Sequence, residues 1–107
     1  MIDVHENAFY FDEKSKMIYL GFRNIDRIIK LKYPEGKVMD SYGPVYKQGG
    51  KQKKNTLFCG QHSICRTRKG DLLVFNNNSC DSGIAKVIVI KELPQKAKPL
   101  QNVWEYV

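Results

Sequence analysis

Asp71-Leu72-Leu73-Val74-Phe75-Asn76-Asn77 is a short apolar run closed by two amides, and it follows the turn Arg68-Lys69-Gly70. A run this short, rich in branched and aromatic residues and fenced by Gly, Asp and Asn, reads as a strand. Before it, Ile64-Cys65-Arg66-Thr67 leads into the same turn. After it, Asn76–Gly83 reads as a loop, and Lys86-Val87-Ile88-Val89-Ile90-Lys91 is the next strand. Leu93–Gln101 carries two prolines, and Val103-Trp104-Glu105-Tyr106-Val107 reads as a last strand.

The first half of the chain has the same rhythm. Phe9-Tyr10-Phe11 passes through the polar turn Asp12–Lys16 into Met17-Ile18-Tyr19-Leu20-Gly21-Phe22. Arg27–Lys32 is a third apolar run, and Tyr33-Pro34-Glu35-Gly36 turns it, because Pro fixes φ and Gly permits positive φ. Lys37–Tyr42 is a fourth run, ended by Gly43-Pro44. Val45–Thr56 is rich in Gly and Lys and lacks periodicity, so it reads as a long loop. No window carries a helical period.

The halves repeat. His5 aligns with His62, 57 positions later. Met17–Leu20 aligns with Leu72–Phe75, Ile28-Ile29 with Val87–Val89, and Val38–Tyr42 with Val103–Tyr106. Four short strands in each of two repeats is the pattern of β-propeller blades. The expected fold is therefore all-β and propeller-like. Residues 1–44 form a first blade, 45–58 a basic loop and 59–107 a second blade. A small antiparallel sandwich or barrel with look-alike halves is the competing fold. Two blades cannot close a ring. The ring would belong to a longer chain or be completed by several copies; three copies would give a six-bladed ring.

The charge narrows the partners. The 107 residues carry a formal charge of +7, which favours an anionic partner. Part of the excess is concentrated at Lys47, Lys51, Lys53 and Lys54 around Gly49-Gly50. No run approaches the length of a membrane span, and Met1–Glu6 shows neither the basic start nor the apolar stretch of a signal peptide. The cysteines, Cys59, Cys65 and Cys80, match no zinc spacing. They read as small buried or half-buried thiols; in an exported protein a Cys59–Cys65 or Cys65–Cys80 bridge is compatible with the spacing. No metal or cofactor is expected.

Several elements carry a family resemblance. Asp3-Val4-His5-Glu6-Asn7 precedes one strand and Phe22-Arg23-Asn24-Ile25-Asp26 precedes another. Gly60-Gln61-His62-Ser63 and Asp71–Asn77 follow in order. Together they resemble the bacterial arylsulfotransferases over nearly the whole chain. Phe22 stands where that family has a small residue, Ser63 where many members have Asp, and Asn76 where Asp is common.

The resemblance implies a six-bladed propeller in an exported or periplasmic protein. It also implies sulfuryl transfer from an aryl sulfate to a phenol through a sulfated histidine, without a nucleotide donor. His5 and His62 match channel histidines that contact the substrate or the transferring group. Neither matches the nucleophile, which is expected in a later blade, beyond Val107. Asn7, Arg23, Asn24 and Gln61 match supporting positions.

The residues make their own case for the histidines. Sulfuryl transfer spreads negative charge over oxygens that positioned donors stabilise, and imidazole donates, accepts or attacks near neutral pH. The chain has two histidines, one opening each repeat. Arg66 and Arg68 are expected to point outward from the turn they flank, and Trp104 and Tyr106 to pack between blades. A non-catalytic interaction module is the second functional reading. A nucleic-acid binder is the third, disfavoured because the aromatic residues sit in strands rather than among the basic loop.

Overall fold

The computed structural model describes residues 6–43, 57–79, 82–94 and 98–107. Residues 45–56 of the basic loop, His5 and Cys80 lie outside them, while Phe58, at the end of that interval, is buried. Eight strands follow in chain order: β1 Glu6–Asp12, β2 Met17–Phe22, β3 Arg27–Lys32, β4 Lys37–Tyr42, β5 His62–Arg66, β6 Leu72–Asn76, β7 Lys86–Glu92 and β8 Leu100–Tyr106. They make two four-stranded antiparallel meanders, β1-β2-β3-β4 and β5-β6-β7-β8. The sheets pack on each other and do not close. No helix among the described residues is long and apolar enough to cross a membrane.

The expected strands are recovered, with small differences at the ends. β8 begins at Leu100 rather than Val103, because Leu100 is needed in the core, where it is 7% exposed. Arg23–Ile25 is a single 3-10 turn between β2 and β3.

The core is one layer between the sheets. Tyr19, Ile28 and Tyr42 of the first sheet meet Ile64, Leu72, Val74, Ile88, Ile90 and Leu100 of the second, with Phe58 closing one end. Gly21 lets the sheets approach. A Cβ there would stand 3.0 Å from the Ala8 Cβ and 3.4 Å from Ile64.

Both sheets carry a bulge at the start of their first strand. Glu6 pairs with Phe22 and, after a bulge, Ala8 with Gly21. His62 pairs with Phe75 and, after a bulge, Ile64 with Val74. Glu6 and His62 both open a first strand just before a bulge, but Glu6 shares the side of Phe22 and His62 the side of Phe75. The alignment of His62 with His5 lies outside the described residues.

Hydrogen bonding also fixes how the sheets stack. Tyr33 N–H donates to Lys16 O and Thr67 N–H to Asp71 O, both at 2.8 Å. Bonded and non-bonded pairs alternate along an antiparallel ladder. Tyr19, opposite Lys30, therefore turns its peptide groups toward β1. Leu72, opposite Arg66, turns its own toward β7. Chirality ties that direction to the face on which the side chain stands. In sheets of the same strand order, Tyr19 and Leu72 thus project from opposite faces. Both are nevertheless fully buried in the shared layer. The front of one sheet packs on the back of the other.

The two outward faces are apolar as well. Phe9, Phe11, Ile18, Leu20, Ile29 and Leu31 alternate with the core residues of the first sheet. Leu73, Phe75, Val87, Val89, Trp104 and Tyr106 do so in the second. A two-sheet sandwich ordinarily turns polar residues outward. Trp104 and Tyr106 are corrected by this arrangement: they do not pack between the two sheets. They pair with Val89 and Val87 on the outer face, 52% and 67% exposed, with their rings stacked 6.4 Å apart.

Candidate functional site

The residues singled out by sequence gather at the start of β5. Gln61 is fully buried. Its Nε2 donates to Arg27 O at 2.8 Å and to Phe22 O at 3.3 Å. Those carbonyls flank the 3-10 turn that carries Arg23 and Asn24, so one amide of the second sheet holds a turn of the first. Asn7, in the β1 bulge, donates from Nδ2 to Gln61 O at 3.1 Å. The supporting set Asn7, Arg23, Asn24 and Gln61 is thus one neighbourhood. Arg23 and Asn24 are exposed, with a long 3.5 Å contact between them.

The lead-in to β5 is clamped from both sheets. Gly60 N–H donates to Asp26 Oδ1 at 2.6 Å, and Asn77 Nδ2 donates to Gly60 O at 2.6 Å. Gly60 has φ +59, and a Cβ there would lie 2.4 Å from Ser79 Oγ, so glycine is required. Asn76 accepts at Oδ1 from Cys59 N–H at 3.0 Å and from Asn78 N–H at 2.9 Å. Its Nδ2 donates to Leu57 O at 3.4 Å. An aspartate could accept those N–H groups but could not donate. The Asn at this position therefore serves the loop on both counts.

His62 follows Gln61 immediately and is exposed. Its Nδ1 lies 3.0 Å from Ser63 Oγ, and Ser63 occupies the bulge with φ +55. Whether His62 meets His5 lies outside the described residues. Two acceptors here are unusual. Gln61 Oε1 and Asn7 Oδ1 are buried without a hydrogen-bond donor, while the amide nitrogens of both are engaged. Arg23 and Asn24 present a guanidinium and an amide at this end of the seam, and His62, opposite Phe75 on the outer side of the second sheet, presents an imidazole at the same end of β5. Donors of these kinds suit an anion with several oxygens.

The opposite end of β5 holds a second cluster that sequence reading missed. Arg66 does not point outward as expected. Its Nε lies 2.8 Å from Asp12 Oδ2, and its Nη2 donates to the Tyr19 hydroxyl at 2.6 Å. Register explains this: Arg66 pairs with Leu72 and shares its core-facing side. Arg68 in the turn is exposed, as read. Glu92, at the end of β7, accepts from Tyr19 Oη at 2.8 Å, from Lys30 Nζ at 2.9 Å and from the Tyr42 hydroxyl. Asp12, Lys14, Ser15, Met17, Lys30, Arg66 and Glu92 line a cleft of about 440 Å³ here.

Each group in this cluster stabilises a particular charge state. Burial pushes the Glu92 carboxyl up, but the hydrogen bonds from Tyr42, Lys30 and Tyr19 outweigh it and hold the group below its ordinary range. The Ser15 hydroxyl and the Arg66 charge likewise hold Asp12 down against desolvation. Burial and the bond to Glu92 push both Tyr19 and Tyr42 well above the usual phenol range. The cluster is an ionic bridge between the sheets, in which Arg66 Nε has its ion pair with Asp12 but no hydrogen bond. Its members were invisible as a set because β1, β2, β3, β4, β5 and β7 each contribute side chains from widely separated positions.

The cysteines divide. Cys65 is a free, exposed thiol, which excludes both bridges that the spacing allowed through it. Cys59 is 1% exposed and disulfide-bonded. Among the described residues no group of three His, Cys, Asp or Glu is placed to hold a metal ion. No protein-family model matches the chain, and no curated protein matches it either.

Proposed function

We propose that the chain is a two-blade portion of an arylsulfotransferase-like β-propeller, whose His62 end contributes to a pocket for an aryl sulfate and its phenol acceptor. The observation that carries the reading is the front-to-back stacking of two like meanders with their first strands, β1 and β5, against each other. Successive propeller blades stack in this way, and their first strands line the channel. His62, at the start of β5, then stands at a channel mouth, beside the turn that Gln61 fastens. Arg23 and Asn24 on that turn add donors for sulfate oxygens. In this reading the chain supplies recognition: His62, with His5, orients the sulfuryl group by hydrogen bonds, and the nucleophile comes from elsewhere in the ring.

The test is an NMR titration of the protein with 4-nitrophenyl sulfate, following the imidazole and amide signals of His62, with inorganic sulfate and 4-nitrophenol as separate arms. The expected result is a saturable shift at His62 and in the Arg23–Ile25 turn, lost in His62→Ala. Signals at His62 that stay fixed up to millimolar ester would overturn the reading.

A second reading is a non-catalytic interaction module. It is favoured by the apolar outer faces, and by a His62 whose hydrogen bond is to neutral Ser63 rather than to a carboxylate that would orient a catalytic base. A chain that associates through its outer faces while His62 stays indifferent to the ester would favour it.

A further inference from the structure

The outer faces are a complementary pair. Inside the chain, the face of β1–β4 that bears Tyr19 packs on the face of β5–β8 that bears Leu72. Tyr19 and Leu72 belong to opposite sides of sheets with one strand order. The face left open on the first sheet is therefore of the kind that Leu72 occupies on the second. The face left open on the second is of the kind that Tyr19 occupies on the first. A front remains at one end of the molecule and a back at the other. The open front carries Val89, Trp104 and Tyr106; the open back carries Phe9, Leu20 and Ile29.

We infer that the chain associates head to tail with further copies of itself, the outer face of β5–β8 seating on the outer face of β1–β4 of the next copy. The internal seam is the template, since it is the same kind of contact already made once. Apolar area on this scale is costly to leave in water. A heterologous contact closes into a ring when its rotation divides the circle and otherwise runs on as a filament. Pairing two copies through the same face would set front on front, which the internal seam does not use. The inference rests on the stacking part of the proposed function, and not on its sulfuryl chemistry.

Two substitutions at exposed positions separate the faces. Trp104→Glu blocks the front and Phe9→Glu blocks the back. The wild-type chain should show a molar mass by light scattering that is a multiple of 12.4 kDa. Each variant alone should run at 12.4 kDa with an unchanged circular dichroism spectrum. An equimolar mixture of the two should give a 1:1 pair and stop there, because the two faces left outside the pair are the blocked ones. Cys65 reports independently, since it pairs with Leu73 on the front. Its alkylation, read on the peptide by mass spectrometry, should slow about tenfold when nine-tenths of the chain is assembled.

A wild-type chain that stays at 12.4 kDa at millimolar concentration overturns the inference. So does a Phe9→Glu chain that still dimerises, which would reveal front-to-front pairing, or a mixture that fails to pair while both variants stay folded. A monomer whose His62 still answers to aryl sulfate overturns this inference alone. An assembly indifferent to aryl sulfate overturns only the sulfuryl reading.

Discussion

The two ends of the seam between the sheets are both polar, yet they are built on different chemistry. At the Glu92 end, carboxylates meet cations and two phenols across the interface. At the Gln61 end, neutral amides hold backbone carbonyls, and two amide oxygens find no donor. The charged end ties the sheets together and has little capacity left for a ligand. The amide end fixes the backbone and leaves an imidazole and a guanidinium exposed beside it. Charged and neutral bridging are thus assigned to opposite ends of one strand, β5.

The largest test of this contrast is Glu92→Ala. Removing the hub leaves Lys30 and two buried hydroxyls without their acceptor, and should lower unfolding free energy by on the order of 3 kcal/mol. Urea denaturation should show a lower midpoint at constant slope. A loss no greater than that of a surface mutation would show that the charged end is not the staple. Gly60→Ala comes next. Its positive φ and close approach to Ser79 predict a loss of roughly 2 kcal/mol by the same measurement. Gln61→Leu should cost about 1–2 kcal/mol, and faster amide exchange should appear in the Arg23–Ile25 turn, with protection at the Glu92 end unchanged.

The pH dependence separates the ends in another way. Folded Glu92 titrates below its ordinary value of 4.5, so on acidification the unfolded chain takes up that proton first. Its stabilisation is complete above about 4.5 and is lost as pH falls through the folded value. Folded Tyr19 and Tyr42 titrate above their ordinary value of 10.0, so the unfolded chain releases those protons first. Their contribution is complete below about 10 and is lost as pH rises toward the folded values. Tyr42→Phe should cost about 1.5 kcal/mol at neutral pH and flatten the alkaline limb of a plot of melting temperature against pH. An unaltered alkaline limb would remove Tyr42 from the bridge. The smallest expected effect is His62→Ala. Stability should change by less than about 0.5 kcal/mol, while the response to 4-nitrophenyl sulfate disappears.

Much of the site was legible for a local reason. Gln61, His62, Asn76 and Asn77 lie within a few residues of strand boundaries, where turn chemistry and amides stand out against apolar runs. The Arg23-Asn24 turn was legible too. The Glu92 hub was not. Nothing in Lys91-Glu92-Leu93 distinguishes a hub from a charge at a strand end, and its partners come from four other strands. Arg66 was misread for a related reason. Alternation gives two faces but does not say which one meets the neighbouring sheet. Trp104 shows the reverse error, an aromatic residue assigned to the interior that the β8 register places outside.

By itself the sequence determined the number, order and approximate limits of the strands and their division into two meanders. These follow from short-range alternation, turn residues and the Lys- and Gly-rich interval between the halves. Only the tertiary structure decided the register of the repeat, the front-to-back stacking and the membership of the two polar bridges. Those depend on which peptide groups are hydrogen-bonded. A single bulged residue reverses that choice, with every side chain beyond it, while leaving the pattern of residue types almost untouched.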